Sequence, residues 1–335
     1  MRSSRLTLAL ETGAVVLPGD GPLAIFRPHI GDDLSMFPQD RVRVVQGFKP
    51  DHDHFAAQGY AVAVAGAGPY AAAMVCLPRA KAEARALLAA AAAQVAPGGP
   101  VIVDGQKTDG VDAVYKELRA LRPVSEALSK AHGRLFTFAA GPDVSGPGLE
   151  DWAAQPTTID GGFQTLPGVF SADGPDRGSV LLAQALPDRI PGHVVDLGAG
   201  WGYLSRAVLA RSGVKKLDLV EAEAAALECA RLNITDERAR FHWADAMQFH
   251  PARAVDAVVC NPPFHAAREA DPAIGMGFVQ AAARMLQPGG TLWLVANRHL
   301  PYAATLTTLF TEVEEIGGDS AFRVIRAARP QRARR

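Results

Sequence analysis

Two stretches of this chain carry the same pattern, and that constrains its fold more than any other feature. Residues 74–103 read MVCLPRAKAEARALLAAAAAQVAPGGPVIV, and residues 258–295 read VVCNPPFHAAREADPAIGMGFVQAAARMLQPGGTLWLV. Each is an apolar strand ending in Val-Cys, then a proline loop, an alanine-rich helix, Pro-Gly-Gly and a second apolar strand. Self-similarity of this kind marks one unit used twice. The Pro-Gly-Gly suits a helix end followed by a tight turn into the strand. The copies differ at the loop, where Leu77 and Arg79 in the first stand for Asn261 and Pro263 in the second. Between the copies, from Pro142, the text becomes GPDVSGPGLEDWAAQPTT, whose Gly, Pro, Ser and Asp mark a linker. The expected domains are therefore 1–145 and 146–335.

The chain's 335 residues suffice for two domains of ordinary size, and 48% of them are hydrophobic, a core-forming composition. The formal charge of −1 removes any chain-wide attraction to a polyanion, so a basic face must be local. Cys76, Cys229 and Cys260 are odd in number and far apart. That points to a reducing, cytoplasmic setting and away from a zinc site or disulfide framework. The start, MRSSRLTLALETGAVVLPGD, is too short and too interrupted for a signal peptide or membrane span. The alanine run 86–96 follows Lys81, Glu83 and Arg85 and reads as a helix packed in protein. Asp51–His54, DHDH, reads as a polar loop between strands rather than a metal site. VAVAGAGPY (62–70) lies too near the next strand for a helix between them, so it reads as a tight turn.

The second half alternates strands and helices. HVVDLGAG is a buried strand running into a glycine loop, YLSRAVLARSG a helix ending at Gly213, KKLDLVEAE a second strand and AAALECARLNI its helix. ARFHWADA and AVDAVVCNPP supply two more strands, followed by a helix over 273–287, the strand TLWLVAN and a helix at ATLTTLF. TEVEEIG and AFRVIRAAR read as an antiparallel pair at the sheet edge. This alternation predicts an α/β fold with a doubly wound, mostly parallel sheet, whose ligands sit beyond the carboxyl ends of the strands. Asp196 ends the first strand there, and Gly198, Gly200 and Gly202 follow at alternate positions before a helix. Missing Cβ atoms let such a loop approach a ligand closely. The third glycine comes one residue too early for the dinucleotide pattern. An acid beside the loop repels a pyrophosphate and attracts an aminoacyl ammonium. That favours S-adenosylmethionine over a nicotinamide cofactor. Glu221 and Asp245 end the second and third strands, placed to accept from the ribose hydroxyls and the adenine amine. After the fourth strand, Pro262 and Pro263 forbid both ladder and helix, so Asn261–Phe264 form a stiff loop at the same edge.

These residues carry a resemblance. Residues 156–330 resemble a class I S-adenosylmethionine-dependent methyltransferase, and Asn-Pro-Pro-Phe resembles the [NDS]-P-P-[YFW] motif of enzymes that methylate planar amines. TLPGVFSADGPDRGSVLL, NPPFH and VANRHLPY are similar to segments of the ribosomal RNA guanine-N2 methyltransferases of the RsmC/RlmG family. VIVDGQKTDGV and SKAHGRLFTF resemble that family's degenerate first domain. The resemblance implies two tandem Rossmann-like methyltransferase domains, the first having lost the chemistry and serving structure or RNA recognition. It implies cofactor contacts from Phe170, Asp176 and Gly178 beside Asp196, Gly198, Gly200, Gly202, Glu221, Asp245 and Asn261, and no metal. Where family members often have Asp-Val-Gly-Ser, this chain has Asp176-Arg177-Gly178-Ser179, which leaves the role of Arg177 open. In the implied chemistry the Asn261 oxygen and the Pro262 carbonyl accept the amine hydrogens, and Phe264 stacks on the base. Pro263, His265, Asn297, Tyr302, Arg323 and Arg326 are candidate substrate contacts, with Arg329 and the terminal arginines extending a basic cluster. The implied partner is ribosomal RNA, naked or in a subunit, most simply the small-subunit 16S RNA, with no membrane involved; the oligomeric state is left open, a monomer included. The rivals are amine methylation of adenine or protein glutamine, a nicotinamide oxidoreductase, and an RNA-binding scaffold of two inactive domains.

Overall fold

Apolar runs bounded by Gly, Pro and Asp become strands in this chain, and the alanine- and leucine-rich segments between them become crossover helices. The computed structural model describes residues 2–141, 148–263, 265–266, 269–270 and 272–331, with 265–266 and 269–270 described by backbone alone. The chain divides into two units, Met1–Pro156 and Thr157–Arg335.

The first unit runs α1 (Arg2–Glu11), β1 (Leu23–Phe26), β2 (Val42–Val45), α2 (Lys49–Ala57), β3 (Ala61–Ala63), β4 (Ala72–Cys76), α3 (Lys81–Gln94), β5 (Pro100–Gln106), α4 (Val111–Leu121), β6 (Leu128–Lys130) and β7 (Gly133–Ala139). The second begins with a small hairpin, β8 (Thr157–Ile159) and β9 (Phe163–Thr165). It continues through α5 (Arg177–Ala185), β10 (Arg189–Leu197), α6 (Tyr203–Leu209), β11 (Ser212–Glu221), α7 (Ala224–Asn233), β12 (Ala239–Trp243) and β13 (Val255–Cys260). The short pair β14 (His265–Ala266) and β15 (Glu269–Ala270) precedes α8 (Pro272–Met285), β16 (Leu286–Asn297), α9 (Tyr302–Leu309), β17 (Phe310–Gly318) and β18 (Phe322–Pro330).

The seven-stranded sheets have orders β3-β2-β1-β4-β5-β7-β6 and β12-β11-β10-β13-β16-β18-β17. Counted from the first strand of each sheet, both orders are 3-2-1-4-5-7-6, so the repeat in the sequence is a repeat of topology. Five strands of each sheet are parallel and two antiparallel strands close one edge. The helices correspond too, α1 with α5, α2 with α7, α3 with α8 and α4 with α9. The first unit has no counterpart of α6: residues 27–41 pass from β1 to β2 without a helix. The missing element is the one that a glycine loop would start.

Alternation along the strands divides the second unit's core between the faces. Val195, Leu197 and Val220 pack against Phe278 and Val279 of α8 and Tyr302 and Leu306 of α9. Val194, Leu217 and Leu219 pack against Leu182 of α5, Leu204 of α6 and Ala230 of α7. Both faces are covered, as a parallel sheet requires.

Three local expectations are corrected. The helix read to Gly213 ends at Leu209: Arg238 donates to the Leu209 carbonyl at 2.8 Å, and Ser212 already pairs with Arg189 as β11 begins. The second Pro-Gly-Gly makes no tight turn. It lies within β16, in an irregular stretch between the Val255–Leu286 and Ala257–Thr291 pairings. The first one does turn, with Gly99 donating to the Ala96 carbonyl. Asp51–His54 is no loop. It lies in α2, which Pro50 helps to start, and buried Asp51 accepts from the Ile30 amide at 2.9 Å. Residues 64–69 do form a turn without a helix, and the Tyr70 hydroxyl accepts from the Ala67 amide at 2.8 Å.

Candidate active site

The strand order of the second unit reverses between β10 and β13, and the crevice beyond that point is where a doubly wound sheet receives a ligand. Asp196 and Cys260 lie there on neighbouring strands. The loop after β10 is tied to β11, since the Gly198 and Ala199 amides both donate to the Val220 carbonyl. Gly200 has φ +54°, and a Cβ on it would point into open space. Gly202 starts α6 at φ +96°, where a Cβ would come 3.2 Å from Ile234 of the segment after α7. One glycine thus leaves a cradle, and another lets two elements approach.

Asp196 is fully buried. Its Oδ2 accepts from the Ser205 hydroxyl at 2.6 Å, while Oδ1 has no partner among the described residues. Burial pushes this carboxyl up to about 7, against the Ser205 hydrogen bond and helped by the nearby Glu221 charge. A buried acceptor without a donor is costly, so this one fits a cationic partner supplied from outside the chain. Glu221 bridges two backbones: Oε2 accepts from the Gly200 amide and Oε1 from the Glu223 amide, each at 2.8 Å. Each oxygen keeps a lone pair for a hydroxyl. Burial raises this carboxyl as well, though both amides oppose the rise. Asp245 accepts from the Met247 amide at 2.8 Å, which fixes its side chain just beyond β12.

Asn261 follows β13 directly. Its Nδ2 donates to Asp176 Oδ2 at 2.7 Å and to Ser179 Oγ at 2.9 Å. Both amide hydrogens are therefore used inside the protein, and Oδ1 is the group left to face a substrate. Asp176 also caps α5, accepting from the Ser179 amide at 2.9 Å. Its side-chain hydrogen bonds among the described residues are to α5 and Asn261. Arg177, whose role the sequence leaves open, pairs with Asp319 at 2.6 Å. Gly178 lies in the first turn of α5, where a Cβ would come 3.0 Å from Asp176 Oδ2. Phe170 is 59% exposed, and its carbonyl accepts from the Trp201 indole at 2.9 Å, which pins it beside the glycine loop.

The structure brings together Asp196, Gly198, Gly200, Gly202, Glu221, Asn261, Asp176, Gly178 and Phe170. Pro262 is buried and Pro263 exposed in the loop after β13, and Asn297 ends β16 at the same sheet edge. Phe264 and the His265 side chain lie outside the described residues. Two groups of candidates are placed otherwise than their assignment to the substrate anticipates. Tyr302, expected at the substrate, is wholly buried at the start of α9, packed in the α8–α9 core. The basic cluster of β18 is spread along its strand and already engaged. Arg323 donates to the Leu300 carbonyl at 2.8 Å, while Arg326 and Arg329 both pair with Glu312 of β17. Ser179, Ser205 and Trp201 were missed. Serine carries no distinctive signal in sequence, although the Asp-x-x-Ser spacing of a helix cap was there to read. Among the described residues no cluster of His, Cys, Asp and Glu is arranged to hold a metal ion, and no helix is long and apolar enough to cross a membrane.

The doubly wound sheet, the glycine cradle with an unpartnered buried acid, and the Asn-Pro-Pro loop at the switch point define a class I S-adenosylmethionine-dependent methyltransferase. Residues 160–326 match the family described as methyltransferase small domain, and residues 40–155 match its companion, methyltransferase small domain N-terminal. The chain is 34% identical over 269 residues to ribosomal RNA small subunit methyltransferase C of Pseudomonas paraeruginosa (78% of this chain, 80% of the relative). It is 32% identical over 265 residues to the protein of the same name from Salmonella choleraesuis (77% and 75%). Among solved structures it resembles the T. thermophilus 16S rRNA N2 G1207 methyltransferase (RsmC) in complex with AdoMet and guanosine. That likeness has a TM-score of 0.77 and 27% identity, covering 94% of this chain and 90% of that one. The chain belongs to the ribosomal RNA small subunit methyltransferase C family.

Proposed function

We propose that this chain methylates the exocyclic N2 amine of a guanine in the RNA of the small ribosomal subunit, in the cytoplasm. One observation carries the chemistry. Asn261 has both amide hydrogens satisfied by Asp176 and Ser179, so its oxygen stands as an acceptor beside the glycine cradle. S-adenosylmethionine, when bound, supplies an electrophilic methyl group. Asp196 and Glu221 hold its charged and hydroxyl groups, Asp245 its adenine, and Gly200 leaves room for it.

A base amine is a poor nucleophile because its lone pair is delocalised into the ring. Acceptors aimed at its two hydrogens favour a pyramidal nitrogen and direct the lone pair outward. The Asn261 oxygen and the Pro262 carbonyl serve as those acceptors, and the two prolines keep them in place. Preorganisation of this kind can lower a barrier by about 7–11 kcal/mol in the best cases. Phe264 supplies a stacking face, worth about 1–3 kcal/mol per base. A base in a paired region must first leave its helix. The methylated amine loses its extra proton readily, so no strong general base is required.

The choice of guanine N2 and of small-subunit RNA rests on the relatives, since the Asn-Pro-Pro loop accepts several planar amines. The first unit lacks the glycine loop, its helix and the asparagine. We assign it a structural and RNA-holding role, with the whole cofactor site in the second unit. Mapping ribosomal RNA methylations in a deletion strain tests this reading. The loss of one N2-methylguanosine from 16S RNA supports it. An unchanged map, or a lost N6-methyladenosine, contradicts it.

A further inference from the structure

The geometry around Asn261 shows more than an acceptor at the right edge of the sheet. An asparagine amide has two orientations that differ by half a turn, and only one presents oxygen to an amine. Here that orientation is set from one side. Asp176 Oδ2 receives one Nδ2 hydrogen and Ser179 Oγ the other. Turning the amide over would lose the bond to Asp176 and bring the Asn261 oxygen against its carboxylate, whereas the Ser179 hydroxyl can serve either orientation. The bond to Asp176 is charge-assisted and correspondingly strong. Asp176 is itself held, since the same oxygen accepts from the Ser179 amide as the cap of α5. The fit leaves little slack: a Cβ at Gly178 would come 3.0 Å from Asp176 Oδ2 and 3.3 Å from the Phe322 ring.

We propose that Asp176 and Ser179 are positioning residues: the helix cap of α5 fixes the Asn261 amide with its oxygen toward the substrate amine. This rests on the methyl-transfer reading above and assigns Asp176 to the asparagine rather than to the cofactor. Arg177 lies outside this device; it is 63% exposed in side chain and pairs with Asp319.

The test separates capping from positioning. Serine caps a helix about as well as aspartate, but its hydroxyl is too short to reach Asn261. Asp176→Ser should therefore keep thermal stability and cofactor affinity and lower kcat by about 10²-fold, the order expected when a catalytic group is displaced by about 1 Å. Asp176→Asn, which keeps an acceptor at the right reach, should recover most of that loss. The double variant with Asn261→Ala should be no slower than Asn261→Ala alone, because Asp176 acts through that residue. Arg177→Ala is the control and should leave kcat unchanged. Wild-type kcat in Asp176→Ser overturns the proposal, as do losses that multiply in the double variant. A fall in cofactor affinity with kcat intact overturns it as well and returns Asp176 to the cofactor. If Asn261→Ala itself turns over normally, the methyl-transfer clamp fails, and this proposal with it. If Asn261→Ala is slow and Asp176→Ser is not, the positioning role alone fails.

Discussion

Both donors of the Asn261 amide are engaged by Asp176 and Ser179, so what this side chain offers a substrate is an oxygen. Asn261→Ala should accordingly lower kcat by about 10²–10³, the usual consequence of removing one preorganised polar contact. Cofactor affinity, measured by isothermal titration, should stay where it was. Asp196 gives a prediction in pH. Burial raises this carboxyl from its ordinary 3.8 to about 7. The folded protein therefore holds that proton more tightly than the unfolded chain does. Its contribution to stability without cofactor is full below the ordinary value and is lost as pH rises toward about 7. A bound ammonium favours the ionised carboxylate. Cofactor binding should therefore tighten as pH rises through this range and release a proton at the lower end. Titration at one pH in buffers of different ionisation enthalpy reads that proton directly. No proton release and no pH dependence would remove Asp196 from the cofactor site.

At the scale of elements, the junction of β10 with α6 is the critical one. Gly200 holds φ +54° with open space where a side chain would begin. Gly200→Val puts a β-branched residue in a conformation it resists and fills the cradle, so it should abolish cofactor binding. An undiminished affinity by titration would place the cofactor elsewhere. This junction was legible in the sequence because its signals are local: alternate glycines, acids at strand ends, and prolines that must stop β13. Tyr302 was not, because only the packing of α9 on α8 decides that its ring faces the core. The arginines of β18 are a related case. Their spacing gave a cluster, but pairing with β17 sets Arg326 and Arg329 on Glu312. Replacing both by alanine should cost at most about 1 kcal/mol of stability, as exposed ion pairs do, read as a small shift in the urea midpoint. It should barely change the salt dependence of RNA binding. A marked flattening of that dependence would restore these arginines to the RNA contact.

Over the whole molecule, one topology occurs twice, and the glycine loop, its helix and the asparagine belong to the second copy. In the first, Leu77 stands for Asn261, no helix follows β1, and α1 brings Arg5 into a wholly buried pair with Asp104 at 2.8 Å. The sequence showed the repeat and the missing loop, but not this pair, because residues 5 and 104 meet only through the fold. Arg5→Ala leaves the buried Asp104 carboxylate with Arg2 as its remaining ion-pair partner, so it should destabilise the protein by less than the about 3–5 kcal/mol of a carboxylate left unpaired, measured by urea unfolding. Titration with S-adenosylmethionine should give one site per chain; two would return a cofactor to the first unit. The most direct test of the account is the product itself. The protein is incubated with labelled S-adenosylmethionine and unmethylated small subunits or their RNA. The RNA is then digested and the labelled nucleoside identified by mass spectrometry. N2-methylguanosine is the expected product, formed by the wild type and nearly absent with Asn261→Ala; N6-methyladenosine, or label confined to protein, would contradict guanine-N2 methylation.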